Sequence, residues 1–337
     1  MPVSDIHRAR RILANGWRAL AGYDDLQPGP PGFSDASVFR VCLDDGDFCL
    51  RQWHAEMSQQ RLLKIHRLLE HVNYCGIRQV PVPITGASGC TVVEVDGRLW
   101  QLESWMPGRA DFRDAPTDSR LESAMHVVAR WHIAAESANS FDHPHTVAHQ
   151  TAASPTVSDR ADLMRDYQSR LPEIENSLRR ERHERFREAG VRITAQFRRM
   201  SRNIAGQLVS ARSLDVPLQP CIRDLWHDHL LFIGEELTGL IDFGAVRTDT
   251  VACDLSRLLG SLFGDDADGW RRALIAYESI RPLRDNESAL LQPLDRSGVL
   301  LSGMTWLKRR CLLNTEISNI DRVSERLESI ADRLTRM

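Results

Sequence analysis

Apolar positions along the chain switch between helix-like and strand-like spacing. Between 5 and 21, Ile6, Ile12, Leu13, Trp17 and Leu20 alternate with basic residues at roughly helical intervals, which predicts a short amphipathic helix. A Pro/Gly turn at 28–32 leads into Val38, Val41 and Leu43. After Asp44-Asp45-Gly46-Asp47 the run Phe48-Cys49-Leu50-Arg51-Gln52-Trp53 follows, so two strands flank a D-G hairpin turn. Residues 58–72 carry Leu62, Leu63, Ile65, Leu68, Leu69 and Val72 every three or four positions, a second amphipathic helix that ends near Gly76. Thr91–Val95, an Asp96-Gly97 turn and Leu99–Trp105 read as another hairpin. The first hundred residues therefore form a small α+β lobe.

From 118 the spacing turns helical, with Leu121, Met125, Val128, Trp131 and His132 on one helix and a polar, Pro-containing surface loop at 139–158. Residues 160–210 predict one or two Arg-rich helices with solvated faces. Leu230–Ile233, a turn at Gly234 and Leu237–Phe243 interrupt them as a hairpin, and helices resume at Asp254. There is no internal repeat or low-complexity tract. The expected division is an N-terminal β-rich lobe at 1–107 and a larger, mainly helical one at 108–337.

Composition narrows the function classes. Charged residues are 26% and hydrophobic ones 42% of 337 residues, a globular balance. Forty-three Lys and Arg against 46 Asp and Glu leave a net charge of −3, with no basic field to hold nucleic acid. Seven scattered cysteines without C-x-x-C spacing suit reduced thiols and argue against a zinc framework. No apolar leader and no spanning run occur, so a cytoplasmic chain without membrane contact is expected. Lys64 and Lys308 are the only lysines, so a cationic role in a site falls to arginine.

Chemistry concentrates in Cys221-Ile222-Arg223-Asp224-Leu225-Trp226-His227-Asp228-His229-Leu230-Leu231-Phe232, followed by Gly239-Leu240-Ile241-Asp242-Phe243-Gly244. This segment resembles the kinase catalytic loop H-R-D-L-x-x-x-N and the D-F-G metal motif. More specifically it looks like the aminoglycoside phosphotransferase and choline kinase group within the protein-kinase-like fold. Leu102-Glu103-Ser104-Trp105-Met106-Pro107-Gly108 resembles that family's adenine-binding hinge, and Asp254-Leu255-Ser256-Arg257-Leu258-Leu259 its D-L-A-R-L-L helix. The resemblance spans roughly 30–330 and is dense at 221–259. It implies a bilobal α+β kinase-like fold with a hinge near 102–108, ATP or GTP with Mg²⁺, and transfer of the γ-phosphoryl to a hydroxyl of a small molecule. Asp224 would then be the catalytic base and Asp242 the Mg²⁺ ligand.

The chain departs from the family pattern at several places. Ile222 replaces the loop histidine and His229 the metal-binding asparagine; since Mg²⁺ prefers oxygen, Asp228 is the alternative second ligand. Arg51 occupies the place of the strand lysine, and its fork suits phosphate oxygens. Lys64 sits among apolar helix positions and reads as a snorkelling edge residue. Gly32 to Ser37 stands where a phosphate-covering turn belongs, making Ser34 and Ser37 nucleotide-site candidates beside Glu103 and Trp105, the latter as a base-stacking ring. Two other readings stay open: a nucleotide-binding pseudokinase with a regulatory role, and a metal-dependent hydrolase built on His227, Asp228 and His229.

Overall fold

The computed structural model describes residues 3–17, 20, 25–29, 36–44, 46–142, 151–317 and 319–337, without side-chain detail at 3–5 and 139–142. In chain order the first elements are α1 (Val3–Gly16), β1 (Leu26–Pro28), β2 (Ser37–Val41), β3 (Phe48–Gln52), α2 (Gln59–Tyr74), β4 (Val93–Val95), β5 (Arg98–Ser104) and α3 (Asp118–Asp142). Then come β6 (Thr151–Ala153), α4 (Pro155–Leu178), α5 (Glu184–Ala211), β7 (Asp215–Pro217), β8 (Gln219–Cys221), β9 (Leu230–Ile233), β10 (Glu236–Leu240) and β11 (Arg247–Asp249). Four helices close the chain: α6 (Ala252–Phe263), α7 (Ala267–Glu278), α8 (Asp285–Cys311) and α9 (Ile320–Arg336). They group into two compact units, Met1–His143 with His227–Val246, and Pro144–Trp226 with Arg247–Met337.

In the first unit five antiparallel strands run in the order β1-β2-β3-β5-β4. The alternating pattern buries Phe39, Leu50, Trp100 and Leu102 against Leu13 and Trp17 of the N-terminal segment. Trp17 Nε1 donates to the Ile84 carbonyl at 2.9 Å, which satisfies the polar end of an otherwise apolar ring. The β4–β5 turn has φ 52° at Asp96 and 68° at Gly97, the left-handed pair a two-residue hairpin requires. Ser58 caps α2 by accepting from Arg61 N at 3.3 Å. Two expectations are corrected here. The first helix stops at Gly16 rather than 21, and the start of the expected 28–32 turn is the end of strand β1. Pro28 lies on the sheet's edge, where a missing N–H breaks few ladder bonds.

The second unit is mainly helical. Met164, Tyr167, Phe186, Ile193, Phe197, Leu300 and Leu327 form its core, with α5 packed against α4, α8 and α9. Of the expected 139–158 loop, residues 143–150 lie outside the described residues and both flanks are regular structure. The helix runs to Asp142, Thr151–Ala153 pairs with β7, and Ser154 caps α4, whose first residue is Pro155. The strand pair β8–β11 was also not expected. Asp249 at its end is fully buried and accepts from Ser154 Oγ (2.6 Å), Thr156 N (3.0 Å), Thr156 Oγ1 (2.5 Å) and Thr250 N (2.9 Å). Those four donors offset the desolvation of its charge. Among the described residues no helix is long and apolar enough to cross a membrane.

Candidate active site

The hairpin β9–β10 delivers residues 241–244 to the first unit's sheet. Ile241 N donates to the His229 carbonyl at 3.1 Å, and Phe243 is buried against Trp131 with ring centroids 5.9 Å apart. A Cβ at Gly244 would lie 2.7 Å from the Trp53 ring, so this position of the D-F-G sequence has no room for a side chain. Arg61 of α2 secures the loop by donating to the Gly244 carbonyl at 2.8 Å. Between these anchors Asp242 adopts a left-handed backbone, φ 67° and ψ 67°, which costs on the order of 1 kcal/mol for a non-glycine residue. Its Oδ1 accepts from Arg51 Nη1 at 3.3 Å, and its Oδ2 lies 3.6 Å from His229 Nε2. Burial pushes its proton affinity up, but Arg51 and then His229 outweigh burial, so the carboxyl sits below the usual aspartate range.

Arg51 also faces Glu103 of β5, Nε to Oε1 at 3.7 Å. Behind Glu103 runs a buried polar chain. Gln101 Nε2 donates to Glu103 Oε2 at 2.5 Å, while Gln101 Oε1 accepts from Trp53 Nε1 at 2.7 Å and from His66 Nε2 at 2.9 Å. An amide oxygen only accepts, so Nε2 carries the His66 proton and Nδ1 takes one from Thr91 Oγ1 at 2.7 Å. Burial holds His66 below the ordinary histidine range and raises Glu103, against the pull of Arg51. A cavity lined by Arg51, Trp53, His66, Gln101, Glu103 and Asp242 runs along this chain. Sequence reasoning found no acid on α2 to partner the strand cation; the nearby acid instead comes from the neighbouring strand. The register that sets Cys49 opposite Glu103 and Arg51 opposite Gln101 is the signal that brings it there.

In the second unit the loop after β8 is pinned by Asp254. Its Oδ2 accepts from Ile222 N at 2.8 Å and its Oδ1 from Arg223 N at 2.5 Å, which holds Arg223 at φ 66°. Asp254 thus braces this loop through two backbone N–H groups. Asp224, next in the chain, keeps a half-exposed carboxylate whose Oδ1 accepts from Arg257 Nη2 at 2.8 Å. Arg257 and Arg326 both lie over the Trp226 ring, 6.0 and 4.7 Å from its centroid. Sequence reasoning singled out neither arginine.

The other candidates are placed as follows. Ser34 falls outside the described residues, and Ser37 opens β2 opposite Gln52. Trp105 carries the Arg40 guanidinium 5.0 Å above its ring. Asp228 lies 3.3 Å from His227 Nε2, and His229 is buried with Nε2 towards Asp242. Lys64 is exposed on α2. Among the described residues no three His, Cys, Asp or Glu side chains gather to hold a metal ion. The single anionic Asp242 does fit a hard divalent ion whose remaining ligands are phosphate and water oxygens.

Residues 25–290 match the Phosphotransferase enzyme family, and the chain belongs to it. A homoserine kinase of Gluconobacter oxydans (strain 621H) is 26% identical over 277 residues, covering 80% of this chain and 78% of that protein. Among solved structures, spectinomycin phosphotransferase APH(9)-Ia in complex with ADP and spectinomycin superposes with a TM-score of 0.66 at 13% identity, covering 98% of this chain and 97% of that one. The amicoumacin kinase hAmiN, in complex with AMP-PNP, Ca²⁺ and Ami, gives 0.62 at 13% identity over 98% and 96%. The fold is the bilobal α+β fold of kinases, and the family is one of small-molecule phosphotransferases.

Proposed function

We propose that the protein transfers the γ-phosphoryl group of ATP or GTP to a hydroxyl of a small molecule. Asp242 carries the reading: its backbone is held in a strained left-handed conformation, and Arg51 and His229 keep its carboxylate anionic. Asp242 would hold Mg²⁺, with Asp228 or His229 as further candidates, and the ion when bound neutralises charge on the nucleotide phosphates. Arg51 would grip phosphate oxygens, oriented by Glu103 behind it. Ser34, Ser37, Glu103 and Trp105 belong to the nucleotide side, the lobe of residues 1–107 with its hinge at 102–108. Asp224, on the loop pinned by Asp254, would orient the acceptor hydroxyl and take its proton. The acceptors named for the related proteins, homoserine, spectinomycin and amicoumacin, set the range: small and hydroxylated.

Replacement of the family's asparagine by His229, a poor Mg²⁺ ligand, supports a second reading as a nucleotide-binding pseudokinase. Coupled measurement of ADP formation with Mg·ATP across a panel of hydroxylated amino acids, amino alcohols and aminoglycosides decides between them. Acceptor-dependent ADP release is expected. Nucleotide binding without turnover for any acceptor would establish the pseudokinase instead.

A further inference from the structure

The two acids that meet Arg51 hold it loosely. Nη1 lies 3.3 Å from Asp242 and Nε 3.7 Å from Glu103, and Nε, though buried, has no hydrogen-bond partner. Both separations exceed the roughly 3.2 Å of a well-made N–H···O bond, so the carboxylates alone do not fix the plane of the guanidinium. Among the described residues these are its two ion-pair partners, and neither lies on α2.

An aromatic ring fixes that plane instead. Arg51 and Trp53 are two positions apart and share one side of the strand direction, and the guanidinium carbon lies over the indole, 5.1 Å from its centroid. Trp53 has little freedom of its own. Its backbone N–H donates to the Leu99 carbonyl at 2.9 Å, its Nε1 donates to Gln101 Oε1 at 2.7 Å, and its ring is buried with Met57, Leu62, Val92 and Leu99. Gln101 cannot turn over, because its amide nitrogen serves Glu103 while its oxygen also accepts from His66. The Cζ3 and Cη2 edge of the indole abuts Gly244, two residues after Asp242. One ring thus touches the strand cation, the polar chain of β5 and the loop that carries Asp242.

We propose that Trp53 is the positioning residue that aims Arg51 at the nucleotide phosphates, and that its ring is what makes an arginine, rather than a lysine, the working cation at this place on the strand. The proposal deepens the reading above and rests on Arg51 being the group that grips phosphate. A guanidinium laid flat on the indole keeps its edges for anions, and Nη2, which has no protein partner among the described residues, is the donor left for a phosphate oxygen. An ammonium has no plane to lay on the ring and holds its water more tightly, so it gains less from the same tryptophan.

The test is a double-mutant cycle on the full chain, with Kd for Mg·ATP and Mg·GTP measured by calorimetry and nucleoside diphosphate formation across the acceptor panel followed in parallel. The cycle comprises the parent, Arg51→Lys, Trp53→Leu and the pair combined, with Trp53→Phe alone and with Arg51→Lys as the conservative arm. In the parent, Arg51→Lys should weaken the tighter-bound nucleotide about tenfold, the scale of a desolvated cation–π contact. In Trp53→Leu the same change should cost less than about twofold, and in Trp53→Phe, which keeps an aromatic face, most of the tenfold should return. A tryptophan with a merely structural role would weaken the arginine and lysine forms by the same factor, and that parallel loss would overturn the proposal. Coupling without turnover of any acceptor would remove the phosphotransfer reading and leave the proposal standing, whereas turnover without coupling would do the reverse. A parent that binds neither nucleotide would remove both. Should Trp53→Leu not fold, a crystal structure of the parent with a magnesium nucleotide decides: a guanidinium within about 6 Å of the indole centroid and against a phosphate oxygen supports the proposal, and one lifted off the ring overturns it.

Discussion

Arg51 stands between two carboxylates, 3.3 Å from Asp242 and 3.7 Å from Glu103, with 15% of its side chain exposed. Removing it would leave the buried Glu103 without its cation beside a half-exposed Asp242, so Arg51→Met should destabilise the fold by about 3 kcal/mol, read from denaturant midpoints. Arg51→Lys keeps the charge but loses the fork that spans both acids; it should recover most of that stability while raising the KM for nucleotide. Equal stability of the Met variant and the parent would show that the guanidinium does not hold this site together. Asp224 differs in kind, because its half-exposed side chain contributes little to folding and its proposed task is proton removal. Asp224→Asn is expected to lower kcat by roughly 10²- to 10⁴-fold with nucleotide affinity retained. Parent-like turnover in that variant would remove Asp224 from the chemistry.

At the scale of elements, α2 meets β5 through His66 and Gln101, and this contact titrates. His66 is buried and held neutral, whereas in the unfolded chain it takes up a proton below about pH 6.5. The unfolded state therefore binds more protons, and stability falls as pH drops below that value, by at most about 1.4 kcal/mol per unit until the folded histidine itself protonates. His66→Gln should flatten this slope between pH 6.5 and 5, measured by denaturant melts at a series of pH values. An unchanged slope would assign the dependence elsewhere. These elements also show what the sequence could disclose. The helix α2 and the hairpins β2–β3, β4–β5 and β9–β10 were legible because each carries several turns or alternations of pattern, or a D-G or D-G-like turn. The strands β1, β6, β7, β8 and β11 have three residues each, too few for any period to register, and all but β1 are defined by partners distant in the chain. The site divides the same way. Asp224, Asp242 and Arg51 stand out by local motif or strand position, while the Glu103–Gln101–His66 chain exists only once β3 and β5 are in register and α2 packs on them.

On the scale of the whole molecule, Asp242 belongs to the first compact unit and Asp224 to the second, so the ligands proposed for each should stabilise through different residues. A ligand that binds only the folded state adds about 2.7 kcal/mol at a hundredfold excess over its Kd, whether or not chemistry follows. Mg·ATP should therefore raise the melting temperature by several degrees, and ATP with a chelator by less. The difference is the part that runs through Asp242, so Asp242→Ala should abolish it while Asp224→Asn leaves it whole. Trp17, Trp53, Trp100, Trp105 and Trp131 lie in the first unit and Trp226, Trp270 and Trp306 in the second, so tryptophan emission weights the transition towards the unit that carries Asp242. A metal-dependent shift that survives in Asp242→Ala would mean the ion is held by other groups, with Asp228 the first to test. Loss of the shift in Asp224→Asn as well would show that the two aspartates respond to nucleotide as one group.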